Sequence, residues 1–323
     1  MLFVSPLLCT WLAFFVTVND LLMHKKRRDS KKGVFIRKST GEVEAFLPSK
    51  LRNSLKRSGA GAEAIDQVMA EVLARMHNGM TTRDIYTLAY RLLKRESKPV
   101  AIRYKLRQAV IDLGPTGHPF ERLIGEVFRI QEYAVQVGVL VQGRCVMHEV
   151  DVVAQKPDHH ALAECKFHNR PGEKSDVKTA MYVHARFEDI RTRYGTLPAL
   201  QNVAVRPWLI TNTKLSSDAI TYGECVGLQL LAWDYPTSGN LQQLIEQHHL
   251  YPVTSLTCLS SVHKRLLVQE GIILVRDLRG FPDILRRNGL DEAKVTAVMR
   301  EADMMLHQDM NNATRAAQGS PTI

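Results

Sequence analysis

Apolar and polar residues alternate over Val34-Phe35-Ile36-Arg37-Lys38 and again over Glu42-Val43-Glu44-Ala45-Phe46, with Ser39-Thr40-Gly41 between them. Alternation sends successive side chains to opposite faces, so the pattern predicts two short strands joined by a glycine turn. From Pro48 to about Asp112 the period lengthens. Leu51 and Leu55, then Ile65, Val68, Met69, Val72 and Leu73, then Ile85, Leu88, Ala89 and Leu92 recur at helical spacing, with Thr82 as the expected cap of the last segment. A hairpin followed by a small helical bundle results.

Gly114-Pro115-Thr116-Gly117 breaks that pattern. Beyond it Phe120, Leu123, Ile124, Val127 and Phe128 share one helical face, which predicts an amphipathic helix over Pro119 to Glu132. Three apolar-rich strands follow at about Tyr133 to Val141, Cys145 to Ala154 and Ala161 to Phe167. Next come a helix over Asp176 to Arg193, a strand over Val203 to Thr211, a short helix from Ser216 or Ser217, and a strand over Leu228 to Trp233. The order α, β, β, β, α, β, α, β predicts a mixed sheet with helices packed on it. Tyr235-Pro236-Thr237-Ser238-Gly239 closes this unit, and Leu256, Leu259, Leu266 and Leu267, then Ile284, Leu285 and positions to Leu306, predict a small helical domain.

The fold class is therefore α/β of mixed α+β character. The expected divisions are 1–32, an apolar segment and basic linker; 33–115; 116–240; 250–308; and 309–323, a disordered tail. A hydrophobic fraction of 45% and a charged fraction of 24% are those of a globular protein. The net charge of +10 favours a polyanionic partner, nucleic acid or an anionic membrane surface. Cys9, Cys145, Cys165, Cys225 and Cys258 are odd in number and form no CxxC pair, which fits a reducing compartment better than a disulfide framework. Met1 to Asn19 carries no charged side chain and as a helix would extend roughly 28 Å, about a bilayer core. Lys25, Lys26, Arg27 and Arg28 after it would leave the rest in the cytoplasm. Two readings stand: an inner-membrane anchor facing the cytoplasm, or a natural start at Met23 and a cytoplasmic protein. A membrane partner is expected only if the first 22 residues are native.

Hydrolysis of a phosphodiester needs carboxylates converging on a divalent cation and a group that orients the attacking water. Asp151 lies towards the end of one predicted strand, and Glu164 and Lys166 lie on the next, where period-two alternation puts both on one face and Cys165 on the other. Pairing across Gln155 to His160 would bring Asp151 to Glu164, with Lys166 placed to stabilise a hydroxide or a pentavalent phosphate. A solvated acid and a cross-strand salt bridge are the plain alternative. Glu121 opens the preceding helix, where it could equally compensate the helix dipole.

Gly117-His118-Pro119-Phe120-Glu121, His148-Glu149-Val150-Asp151-Val152-Val153 and Glu164-Cys165-Lys166 resemble the G-x-x-F-E, D-V-V and (E/Q)-x-K elements of Mrr-type restriction endonucleases, of the PD-(D/E)XK class. Trp208-Leu209-Ile210-Thr211-Asn212 resembles their apolar strand ending in Thr-Asn. The resemblance runs from about Gly117 to Trp233. It implies an αβββαβ core cutting double-stranded DNA with Mg²⁺ or Mn²⁺, Glu121, Asp151, Glu164 and Lys166 as the catalytic set, and metal held by Asp151, Glu164 and the backbone carbonyl of Cys165. A homo-oligomer is compatible with it. Glu149, on the same strand face as Asp151, is a candidate additional ligand.

Arg37, Lys38, Lys50, Arg52 and Lys56 concentrate positive charge on and after the hairpin. They could hold a triphosphate with Phe46 or Val34 against the base, form a solvated face, or contact DNA. Val34 to Gly41, then Glu44, Phe46, Lys50 and Leu51, and later Gly79-Met80-Thr81-Thr82-Arg83-Asp84-Ile85, resemble the ATP-cone domain over about Gly33 to Asp112. That resemblance implies an adenine nucleotide, ATP or dATP, as regulatory ligand near Val34, Arg37, Lys38, Glu44, Phe46, Lys50 and Thr82. Leu266, Leu267, Gly271-Ile272 and Val275-Arg276-Asp277-Leu278 resemble one helix-hairpin-helix unit, and Lys264, Arg265, Arg279, Arg286 and Arg287 would suit DNA phosphates, although generic helical packing or protein interaction fits nearly as well. The twelve histidines, His159-His160 and His248-His249 among them, lack zinc spacing and are expected as surface or capping residues. Lys174, Lys178 and Arg186 are either DNA contacts or a solvated face. The expected function is nucleotide-regulated DNA cleavage; a catalytically inactive, nucleotide-responsive DNA-binding protein on the same scaffold is the alternative.

Overall fold

The computed structural model describes residues 33–38 and 41–317. Met1 to Asn19, Met23, the basic stretch to Lys32, and Ser39 and Thr40 of the first turn lie outside the described residues. No helix among the described residues is long and apolar enough to cross a membrane. Contacts divide the chain into two compact units: residues up to Lys56 with Ala60–Leu92, and Arg57–Gly59 with everything from Leu93. The division falls inside a helix rather than at the Gly114–Gly117 breaker.

In the first unit β1 (Phe35–Arg37) and β2 (Val43–Ala45) pair antiparallel, Ile36 opposite Glu44. Gly41 supplies the φ of +88° that the turn between them requires. Helices α1 (Pro48–Arg57), α2 (Ala62–Arg75) and α3 (Thr82–Glu96) bury most of the faces read from the sequence, including Leu51, Leu55, Ile65, Val68, Met69, Val72, Ile85 and Leu88, whereas Leu73, expected with them, is exposed. The α3 cap is Thr81, not Thr82. Thr81 Oγ1 accepts from Asp84 N at 3.1 Å while the Asp84 carboxylate takes Thr81 N at 3.0 Å, a reciprocal arrangement that makes Thr82 the first helical residue.

In the second unit, after the last residues of α3, α4 (Lys98–Ile111) has Pro99 in its first turn and buries Val100, Ile102, Tyr104, Leu106, Ala109 and Val110 around much of its circumference. Helix α5 (His118–Arg129) leads into β3 (Ala134–Gln142), β4 (Met147–Gln155) and β5 (His159–Lys166). After β6 (Lys174–Ser175) come α6 (Val177–Tyr194), β7 (Ala204–Thr211), β8 (Lys214–Leu215), α7 (Ser217–Cys225) and β9 (Gln229–Leu231). Asp176 caps α6 and Ser216 caps α7, so both starts fall where side-chain oxygens were available. The sheet runs β3-β4-β5-β7-β9, antiparallel on the β3 side and parallel from β5 onward. β6 and β8 form a separate parallel pair too short to leave a period in the sequence.

Each face of the five-stranded sheet has its own core. Ala161, Ala163 and Cys165 of β5 join Phe120, Leu123, Ile124 and Val127 of α5. Leu162 of the same strand joins Val183, Phe187 and Ile190 of α6. A strand covered on both faces loses the alternation of a half-exposed one, and β5 is buried along nearly its whole length. His159 and His160 are buried with it, each about 7% exposed, and not surface residues as their polarity suggested. His159 Nε2 lies 2.7 Å from the Tyr133 hydroxyl, and His160 meets Tyr194 edge-to-face.

The carboxy-terminal elements α8 (Leu241–Gln247), α9 (Ser261–Gln269), α10 (Asp283–Arg287) and α11 (Glu292–Ala317) place Leu256, Leu267, Leu285 and Val298 in the same cluster as α5 and as Ile102 and Leu106 of α4. They share one core with the sheet. Helix α11 continues to Ala317, across much of the stretch expected as a tail, where Ala313, Arg315, Ala316 and Ala317 are good helix formers.

Candidate active site

The β4–β5 ladder ends with Val152 opposite Ala163, one residue short of Asp151 and Glu164. Beyond it the Asp151 carboxylate takes the Cys165 N–H at 2.7 Å, a side chain replacing the next rung. In an extended strand a residue's N–H and C=O point to the same edge, so the Cys165 carbonyl also faces the side that β4 has left. β5 stays paired with β7 through Lys166 and Thr211. The two strands therefore part where the acids are.

On the other side of β4 the pairs Val137–Val152 and Val139–Val150 bracket Gly138, which stands opposite Asp151 with φ +67°. Val152 and Ala154 pack into the core under α5, whereas Val150 packs into the core under α6. The hairpin twists sharply at this point, and glycine permits it. A Cβ on Gly138 would meet no atom within 4 Å, so its cost is conformational. Gly138→Ala is expected to destabilise the fold by about 1–2 kcal/mol, the penalty of a left-handed L-residue. A thermal melt checks it; an unchanged melting temperature would show that the twist does not depend on glycine.

Glu164 is about 5% exposed. Its Oε1 takes Lys166 Nζ at 2.7 Å and its Oε2 takes the Arg186 guanidinium of α6. Glu121, in the first turn of α5, lies 3.3 Å from His118 Nδ1 and adds to the negative field on Asp151. Burial first, then Glu164 and more weakly Glu121, push the Asp151 carboxyl up to about 7, against the pull of the Cys165 N–H and Lys166. Burial also pushes the Cys165 thiol well up, which removes it as a nucleophile. Glu121, Asp151, Glu164 and Lys166 are thus brought together.

Glu149 is not. Its side chain is exposed, and only its backbone carbonyl enters the site, as acceptor for the second arm of Arg186. Arg186, offered by sequence as a DNA contact, is instead a largely covered counter-ion with its guanidinium carbon 5.4 Å from the centre of the Tyr182 ring. Lys174 and Lys178 are exposed. Asn212, at the end of β7, was visible only as part of the Thr-Asn ending. It clamps the chain after Lys166, accepting from His168 N at 2.8 Å and donating to His168 O at 2.9 Å.

Among the described residues no group of three or more His, Cys, Asp and Glu side chains is arranged to hold a metal ion. The donors at the parted strands are fewer: two carboxylates and one carbonyl. They are hard oxygens, as Mg²⁺ or Mn²⁺ requires, and a cation would relieve the field that raises Asp151. Each Glu164 oxygen keeps a lone pair beyond its present bond. The set fits such an ion if water or substrate oxygens complete the shell.

In the first unit Glu44 joins the two expected phosphate lysines, Lys38 at 2.8 Å and Lys50 at 3.2 Å. The Lys38 bond is the main force holding the Glu44 carboxyl below its usual range. Phe46 N donates to Val34 O at 2.8 Å, and Arg37 N donates to Met80 O at 3.1 Å, which sets Thr82 close to the hairpin. Val34, Arg37, Lys38, Glu44, Phe46, Lys50 and Thr82 gather at the hairpin and the helix starts beside it.

The carboxy-terminal cations are mostly committed elsewhere. Lys264 is buried with Nζ 2.7 Å from the Thr254 carbonyl, Arg279 pairs with Asp303, and Arg286 pairs with Asp283 and Glu292. The Gly271 turn lies against Arg122 of α5.

Residues 34–107 match the ATP cone domain family, and residues 251–306 match the family described as AF1548-like, C-terminal. A solved structure described as protein of unknown function AF1548 is 33% identical and covers 58% of this chain and 97% of its own, with a TM-score of 0.48. The MspJI restriction endonuclease in complex with a 27-mer oligonucleotide is 16% identical over 47% of this chain and 36% of its own, with a TM-score of 0.28. An uncharacterised protein of Archaeoglobus fulgidus is 37% identical over 175 residues, 54% of this chain and 94% of the archaeal protein. This chain belongs to the AF1548-like family. The ATP cone is a separate match, and it extends to residue 107, into α4.

Proposed function

We propose that this AF1548-like protein is a divalent-metal-dependent endonuclease of the Mrr type acting on double-stranded DNA, tuned by ATP or dATP in its ATP cone. The observation that carries the reading is the meeting of Asp151, Glu164 and Lys166 where β4 and β5 part, with the Asp151 carboxyl raised to about 7. Asp151, Glu164 and the Cys165 carbonyl would hold Mg²⁺ or Mn²⁺. Such an ion, when bound, supplies Lewis acidity to a phosphoryl oxygen and lowers the pKa of a water. Lys166, on the strand face of Glu164, would supply positive charge where a phosphorane develops negative charge, and Glu121 completes the acidic wall. Asn212 keeps the segment after Lys166 in place. Support for nucleotide control comes from α4: the cone match includes Ile102 and Leu106, which share a core cluster with Phe120 of the Glu121 helix.

The test incubates purified protein with supercoiled plasmid and Mg²⁺ or Mn²⁺, with and without ATP or dATP. Nicked or linear plasmid, abolished by EDTA, is expected. Intact plasmid under every condition, methylated DNA included, overturns the reading. One observation favours a second reading, DNA binding on a silent scaffold: Lys166 and Arg186 engage both oxygens of Glu164. Salt-sensitive retention of DNA with the plasmid uncut would establish it.

A further inference from the structure

We infer that Arg186 is the positioning residue of this site, setting the separation of Asp151 and Glu164 as ligands by tying the side chain of β5 to the backbone of β4. The inference rests on the metal site proposed above. Past Val152 and Ala163 the ladder no longer fixes the distance between the strands. Two links take its place: the Asp151–Cys165 hydrogen bond, and Arg186, whose Nη1 donates to Glu164 Oε2 and whose Nη2 donates to Glu149 O.

Glu149 stands two residues from Asp151, just beyond the twist at Gly138, where the backbone of β4 changes the core it packs on. The guanidinium holds both strands at that point. It does so from a rigid base, because α6 is capped by Asp176 and seats Val183, Phe187 and Ile190 in the core. Tyr182, one turn earlier on α6, covers the guanidinium at 5.4 Å, and the Arg186 side chain is 13% exposed. A planar fork with donors on two nitrogens can span a carboxylate and a carbonyl, whereas one ammonium is a point charge. Lysine keeps the charge but not the span.

The experiment titrates Mn²⁺ into full-length wild type, Arg186→Lys and Arg186→Met, reading free Mn²⁺ by electron paramagnetic resonance and fold by circular dichroism, with Asp151→Asn as the control that loses the ion. Both Arg186 variants are expected to bind Mn²⁺ at least about tenfold more weakly, the scale of losing an outer-shell partner. In cleavage assays the Mn²⁺ concentration for half-maximal rate should rise in step, while the rate at saturating Mn²⁺ falls less. Affinity within twofold of wild type in either folded variant overturns the inference, and full rescue by lysine reduces Arg186 to a counter-charge. If Arg186→Met does not fold, Arg186→Lys and Tyr182→Ala, which removes the covering ring, decide it by the same readout. Wild type that binds Mn²⁺ through Asp151 without cutting plasmid sinks the nuclease and leaves this inference readable. Wild type that takes up no Mn²⁺ sinks both.

Discussion

Asp151→Asn is expected to lower cleavage by on the order of 10²–10³-fold, the loss seen when one preorganised electrostatic group is removed, and to melt higher than wild type in EDTA at pH 8. The two effects have one cause. Asparagine is nearly isosteric, so its carbonyl oxygen can still take the Cys165 N–H that stands in for the missing rung. It carries no charge, and charge is what the metal-free site resists: burial and the nearby Glu164 raise the carboxyl from 3.8 to about 7.

A folded-state pKa above the unfolded value gives stability that is complete below the unfolded value and lost as pH rises through the folded one. Wild type without metal should therefore lose stability between about pH 4 and pH 7, to a ceiling of roughly 4 kcal/mol, and the variant should not lose this part. If the proposed site holds the ion, added Mg²⁺ should stabilise wild type, since an ion bound only by the folded chain favours it, and leave Asp151→Asn nearly unmoved. Differential scanning fluorimetry across pH 4 to 8, with EDTA or Mg²⁺, reads both. Parallel pH profiles for the two proteins would mean that Asp151 is not under this strain.

Much of that site was legible because it rests on short-range regularities. Glu164 and Lys166 had to share a face once their segment was a strand, and Asp176 and Ser216 marked helix starts by their capping oxygens. An isolated glycine within an apolar alternation is a signal for a bulge or twist, so Gly138 could have been singled out. Arg186 could not. It is one of several basic residues on a helix, and its role depends on meeting Glu164 and Glu149 across 22 and 37 positions of chain. The same limit hid the sharing of α4, since all-round burial weakens the period that marks a surface helix. His159 and His160 were misplaced because polarity predicts exposure only when a strand has a solvent face, and β5 has almost none.

Lys264→Met is expected to raise the melting temperature at pH 7. Lys264 reads as a surface cation of a basic helix, yet it is about 9% exposed, with the Thr254 carbonyl as its hydrogen-bond acceptor at 2.7 Å. Burial, and secondarily the positive charge of Lys105, lower its pKa from 10.5 to about 8. A depressed folded-state value means that the unfolded chain holds the proton more tightly, so this group's contribution to stability is present above pH 10.5 and lost as pH falls towards 8. At neutral pH the charged ammonium therefore costs up to roughly 3 kcal/mol. Methionine fills a similar volume without charge but leaves the Thr254 carbonyl short of a donor, at about 1 kcal/mol, for a net gain of about 2 kcal/mol. Wild type should gain stability between pH 8 and pH 10.5 relative to the variant, a difference that urea titrations at several pH values resolve. Equal slopes, or a variant that melts lower at pH 7, would show the ammonium to be well solvated. The contact explains why such a charge is tolerated: Thr254, whose carbonyl holds Lys264, donates its own hydroxyl to the carbonyl of Ala109 on α4. The buried cation fixes the turn that seats the carboxy-terminal helices on α4, and methionine should make that seat more stable but less specific.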